Sequence, residues 1–117
     1  MGFAIASLTV IDAIEISETT HDGWCIVQVK GRVDGLTADS LEKALVAAAH
    51  THARVAVDCS AIEYISSAGL RSLLEGARAA QGANHTFVVC SPSARVQQVF
   101  DISRMHQVLP IQAVRPC

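Results

Sequence analysis

Apolar and polar positions change period several times along this chain, and each change marks a boundary. Residues 55–57 form a short apolar run, a polar turn follows, and Leu70, Leu73, Leu74 and Ala77 then recur at i, i+3, i+4 and i+7. Arg71, Ser72, Glu75 and Arg78 fall on the other face of that spacing, so the pattern predicts a buried strand followed by an amphipathic helix. Ser66 or Ser67 supplies the N-cap hydroxyl, which accepts a bond from a free N–H of the first turn. Ala68 and Gly69 come next, two small residues that leave the hydroxyls uncovered and let another molecule approach the backbone.

The same reading extends both ways. Residues 14–19 alternate, meet the turn signal His21-Asp22-Gly23, and resume as a β-rich run over 24–30, which predicts a hairpin. Residues 31–36 read as a loop with glycines on either side of Asp34. Thr37 then caps a helix whose stripe is Leu41, Ala44, Leu45 and Ala48. Thr86 opens another strand, Ser91-Pro92 sets the start of a third helix with Val96, Val99 and Phe100 inward, and residues 108–111 form a last strand that Pro110 confines to an edge or a short bridge. A helical crossover between strands favours parallel pairing. The expected fold class is α/β, an α+β sandwich in which helices pack on a small mixed sheet of four to five strands. Residues 1–12 are an N-terminal extension, either an added edge strand or a tail, ahead of a single domain over 13–117.

Composition narrows the function. The chain has 117 residues, 50% of them hydrophobic and 17% charged, with a formal net charge of −2. That is one ordinary globular domain with no basic patch for nucleic acid. The apolar start is too short to span a bilayer and has no positive flank, so a soluble cytoplasmic protein without membrane insertion is expected. Cys25, Cys59, Cys90 and Cys117 are far apart with no C-x-x-C pair, and the first three sit in strand-like runs, which predicts buried free thiols. His50 and His52, two apart at a helix end, point in different directions and read as a solvated terminus rather than a metal site.

Catalytic chemistry is missing from the pattern. Ser67 is not set in G-x-S-x-G and no histidine stands at a recognisable partner position, while the Gly31 and Gly35 pair lacks the Lys-Ser/Thr of a phosphate-binding loop. No enzyme, cofactor or metal is expected. Ser67 reads better as a substrate, a hydroxyl at a helix N-terminus that a kinase can reach.

Tyr64-Ile65-Ser66-Ser67-Ala68-Gly69-Leu70-Arg71 resembles the signature of bacterial anti-anti-sigma factors, the STAS-domain anti-sigma factor antagonists. Gly31-Arg32-Val33-Asp34-Gly35-Leu36-Thr37, Val57-Asp58-Cys59-Ser60, and Val89-Cys90-Ser91-Pro92 leading to Val99-Phe100-Asp101 agree in order and spacing, so the likeness runs from about residue 13 to 111. By that resemblance Ser67, two residues before Gly69, is the phosphorylated position. Many members carry aspartate where this chain has Ser66, and often Ser or Thr where it has Ala68, which leaves Ser66 as an alternative acceptor.

The resemblance implies a partner-switching protein. Its unphosphorylated form binds an anti-sigma serine/threonine kinase of the GHKL type, phosphorylation of Ser67 abolishes binding, and a PP2C-type phosphatase restores it. Asp34, Gly35, Ser66, Ser67, Ala68, Gly69 and Arg71 would form the partner-binding surface, with Glu75 extending it. Asp34 also reads as a turn aspartate bonded to its own loop, and Arg71 as a solvated helix charge. Two other roles fit the same residues: a STAS regulator of a secretion or signalling output, and an unphosphorylated STAS subunit of a transporter or larger assembly.

Overall fold

A computed structural model describes residues 5–11 and 13–116. Six strands form one sheet in sequence order: β1 (Ile5–Ile11), β2 (Ile14–His21), β3 (Trp24–Val33), β4 (Arg54–Ile65), β5 (Thr86–Cys90) and β6 (Ile111–Gln112). The first three are antiparallel and the rest run parallel to β3, each parallel step crossing through a helix: α1 (Ala38–Thr51), α2 (Ser67–Gly82) or α3 (Ala94–Ser103). The mixed α/β sheet is the expected one, and β1 and the two-residue β6 bring the strand number to six. The edge-strand alternative for the extension is therefore the one adopted over Ile5–Ile11; residues 1–4 and 12 lie outside the described residues.

All three helices feed one core. Leu41 and Leu45 of α1, Leu70 and Leu73 of α2, and Val96 and Phe100 of α3 join Val27, Val29, Val55 and Val57 of the central strands. Cys25, Cys59 and Cys90 are buried, packing as small apolar groups; Cys117 lies outside the described residues. Burial and the neighbouring Glu18 carboxylate push the Cys25 thiol up to about 12, so it stays protonated and donates to Glu18 Oε1 at 3.5 Å.

Two strands run further than their patterns suggest. β4 continues from the apolar 55–57 run through Asp58 and Ser60 to Ile65, and β3 takes in Gly31–Val33 where a loop was expected. The register between them shifts at Gln28/Lys30 and again at Gly31/Arg32, so extra β4 residues bulge out and the in-and-out alternation is broken. Gly31 makes the second shift possible. Its φ is +107, and a side chain there would collide with the Ala13 carbonyl, which accepts the Arg32 N–H at 3.1 Å.

The helix-free face carries a smaller cluster, Ile26, Ala56, Val88 and Cys90, with Trp24 packed against it and the Arg54 guanidinium over the Trp24 ring at 5.3 Å. Asp58 is buried and meets Arg115 of the C-terminal segment, with Arg115 Nη2 2.6 Å and Nε 2.8 Å from Oδ2. Burial raises the Asp58 pKa, but the Ser60 N–H and the Arg115 guanidinium outweigh it and hold the carboxyl below its ordinary 3.8. This carboxyl therefore contributes stability above its unfolded-state value and loses that contribution as pH falls through the lower folded-state value. Arg115→Gln is expected to destabilise the fold by about 1–3 kcal/mol at neutral pH. In urea titrations at stepped pH the difference from wild type should shrink below pH about 4; an unchanged difference down to pH about 2 would contradict the pairing.

Candidate functional site

β3 and β4 end side by side, with Val33 opposite Ile65. One residue on, the Ser66 N–H donates to the Val33 carbonyl at 2.8 Å, so the two chains leave the sheet about 5 Å apart, one into the Asp34 loop and the other into α2. The two stretches singled out in the sequence are thereby brought together.

The paired serines divide two tasks. Ser66 is the N-cap: its backbone is extended, its hydroxyl accepts the Gly69 N–H at 3.3 Å and its carbonyl accepts the Leu70 N–H at 2.9 Å. Ser67 is the first helical residue and is exposed. Among the described residues nothing is hydrogen-bonded to its hydroxyl. The first turn of α2 carries no acidic side chain, and Arg71 stands exposed at i+4 from Ser67. Free N–H groups and the positive end of the helix dipole therefore face this hydroxyl, with an exposed arginine one turn along the helix, a setting suited to an added anion.

Gly69 has a different role from the one its smallness suggests. It is buried, and a Cβ there would lie 2.6 Å from Ile65 Cγ1 and 2.7 Å from Val33 Cγ1. Glycine is required so that α2 can seat on the ends of β3 and β4, which fixes where Ser67 emerges; the residue faces the core rather than a partner. Ala68 is half-buried and packs on the same core. Ser72, also buried, donates to the Ala38 carbonyl at 2.7 Å and ties α2 to the start of α1.

The loop opposite is built by its own polar groups. Thr37 stands at the N-cap of α1 without a side-chain capping bond; its hydroxyl instead accepts the Asp34 N–H at 3.0 Å and donates to the Arg32 carbonyl at 2.9 Å. Asp34 Oδ1 accepts the Leu36 N–H at 3.0 Å, a local turn bond, so the turn-aspartate reading describes its geometry. Gly35 is exposed with open space around it. Between α1 and α2 a groove of about 370 Å³ is lined by Gly35, Ala68 and Arg71 on one hand and by Asp39, Glu42 and Glu75 on the other.

Two exposed side chains at this end were missed by sequence reasoning. Leu36 is 81% exposed at the tip of the loop, and Tyr64 lies under the Arg32 guanidinium at 4.4 Å. The available signal was a leucine between Gly35 and Thr37 that belongs to no apolar stripe. Among the described residues, Glu18, Cys25 and His52 are the one group of three potential metal-ligand side chains with donor atoms within 4.8 Å of one another, away from this junction.

Comparison with known proteins places this arrangement. The family profile described as "Mlab, STAS domain" matches residues 16–111. The chain belongs to the STAS-domain family. It is 34% identical over 91 residues to BtrV of Bordetella bronchiseptica, assigned as an anti-sigma factor antagonist, covering 77% of this chain and 78% of that one. The anti-sigma-F factor antagonist RsfB of Mycobacterium tuberculosis is 32% identical over 63 residues, covering 53% and 52% of the two chains. The crystal structure of an anti-sigma factor antagonist from Mycobacterium paratuberculosis superposes with a TM-score of 0.75 at 27% identity, covering 92% of each chain. No described helix of this STAS domain is long and apolar enough to cross a membrane.

The two glycines at the junction should respond differently to a methyl group. Overpacking of about 1–3 kcal/mol at Gly69→Ala, against about 1 kcal/mol of gained helix propensity, gives a net loss of up to about 2 kcal/mol. Gly35→Ala, in open space, should change stability by less than about 0.5 kcal/mol. Thermal or urea denaturation compares them directly, and equal effects would contradict the seating role of Gly69.

Proposed function

We propose that this STAS domain is an anti-sigma factor antagonist working by partner switching in the cytoplasm, as a kinase substrate rather than an enzyme. The unphosphorylated chain binds an anti-sigma serine/threonine kinase of the GHKL type. That kinase transfers the γ-phosphoryl of ATP to Ser67 Oγ, releasing ADP and the hydroxyl proton, and the product no longer binds. A PP2C-type phosphatase hydrolyses the ester and restores the binding form. The observation that carries this reading is the exposed, unbonded hydroxyl of Ser67 beside a neighbour whose hydroxyl is occupied in capping. The relatives named as anti-sigma factor antagonists support it.

The contact surface in this reading is the Asp34 loop and the first turns of α2. Asp34, Gly35, Ser66, Ser67, Ala68 and Arg71 contribute, with Leu36 as an apolar anchor, since an exposed leucine gains most by being covered. Gly69 acts from beneath by holding the helix in place.

Charge does the switching. A phosphate adds about −1.5 to −2 charges, which the helix N-terminus tolerates in the free protein. Against a partner the same group must shed water beside the Asp34 carboxylate. A hundredfold loss of affinity corresponds to only about 2.8 kcal/mol, well within the penalty for burying an uncompensated charge.

Three substitutions test the division of labour between the serines. Ser66→Ala should lower stability by about 1 kcal/mol through loss of the cap, yet still accept phosphate from the kinase captured on the unphosphorylated protein. Ser67→Ala should leave stability within about 0.5 kcal/mol of wild type, bind the kinase and accept none. Ser67→Asp should bind at least about tenfold more weakly, a change of about 1.4 kcal/mol. Phosphate found on Ser66 alone, or undiminished binding by Ser67→Asp, would overturn the reading.

A further inference from the structure

A second group of chemically active side chains sits at the far end of α1, about 20 Å along that helix from the Asp34 loop. Glu18 of β2, Cys25 of β3 and His52 at the C-cap of α1 hold one ligand atom each within 4.8 Å of one another. Glu18 Oε1 is central: Cys25 Sγ lies 3.5 Å from it and His52 Nε2 4.0 Å. We propose that these three side chains form a zinc site that fastens the β2–β3 hairpin to the end of α1.

Each donor is placed by backbone structure. Cys25 pairs with Thr20 and Val27 with Glu18, so Glu18 and Cys25 are diagonal neighbours on one face of the hairpin. His52 is held where α1 stops by its own N–H, which donates to the Ala48 carbonyl at 2.9 Å. The expected solvated helix end is thus half-covered at His52, whose side chain is 33% exposed and turned toward Glu18. Two histidines two apart do diverge, and the divergence is what sends this one inward.

The donor set selects the ion. Thiolate, imidazole and carboxylate together suit zinc, whereas magnesium and calcium take oxygen ligands alone. Zinc bonds of about 2.0–2.3 Å in tetrahedral geometry set neighbouring donors about 3.3–3.5 Å apart. The side chains need close by at most about 1.5 Å, within the reach of χ adjustments. Glu18 is 23% exposed and Cys25 buried, so an ion enters from the solvent side and keeps a water as fourth ligand. On binding, bonds form from zinc to sulfur, nitrogen and oxygen, the thiol proton passes to solvent, and no oxidation state changes.

Zinc chloride added to the metal-free full chain tests this. One zinc per chain should bind in equilibrium dialysis and raise the thermal midpoint, and cobalt(II) in its place should give a thiolate-to-cobalt charge-transfer band. His52→Ala and Glu18→Gln, both at partly exposed positions, should keep the wild-type far-ultraviolet circular dichroism and bind zinc at least about tenfold more weakly. Cys25→Ser should lose the cobalt band and Cys117→Ser should keep it. Should Cys25→Ser fail to fold, the two partly exposed variants decide the matter. No zinc uptake by the wild type, unchanged affinity in folded His52→Ala and Glu18→Gln, or a band lost only in Cys117→Ser would overturn the proposal.

Discussion

One backbone hydrogen bond closes the geometry on which the candidate site depends, from the Ser66 N–H to the Val33 carbonyl at 2.8 Å. It extends the parallel ladder of β3 and β4 by one step beyond their last paired residues, so a loop and a helix start from neighbouring points on a rigid edge. The requirement propagates inward. α2 can begin there only because Gly69 has no side chain to meet Val33 and Ile65, and it keeps its angle because Ser72 is bonded to the first residue of α1. The loop is fastened in turn by Thr37, whose hydroxyl bridges Arg32 and Asp34. Loop, cap and helix are thus one unit, and Ser67 is the residue that this unit presents to solvent.

That arrangement explains how a covalent charge could act without refolding the domain. Around Ser67 there are helix N–H groups and Arg71 and no acid in the first turn, so a phosphate in the free protein is stabilised locally. Across the junction lies Asp34, with Asp39, Glu42 and Glu75 along the neighbouring groove. A phosphate trapped between this side and a partner would lose its hydration beside the Asp34 carboxylate, whereas Asp39 and Glu75 are already paired with Lys43 and Arg78. In the proposed function the penalty therefore falls on the complex and not on the fold, which is the condition a reversible binding switch needs.

Much of the architecture was legible in periodicity. The stripes of Leu41/Leu45, Leu70/Leu73 and Val96/Phe100 mark the faces that the helices bury, and the alternating hairpin and the serine cap are formed as their patterns imply. The strand extensions were not legible, because the two register shifts in β4 break the period of two that identifies a strand, and Gly31 looks like a loop residue until the Ala13 carbonyl is seen against it. Tertiary contact also redirected single residues. Thr37 has the chemistry of a cap but spends its hydroxyl on the loop behind it, Gly69 is small for the sake of the core, and His52 turns toward Glu18 on another strand. Leu36 carries no periodic signal, since its exposure is a property of the turn that Asp34 builds.

The central claim is that one exposed hydroxyl can take a charge while the domain around it stays as it is. Amide nitrogen-15 NMR spectra of the protein before and after stoichiometric phosphorylation measure this directly. Shift changes should gather at the α2 N-terminus, from Ser66 to Arg71, and across the junction at Val33 to Leu36, with the amides of α3 and β5 unmoved. Changes spread through β5 and α3, or centred away from Ser67, would contradict it.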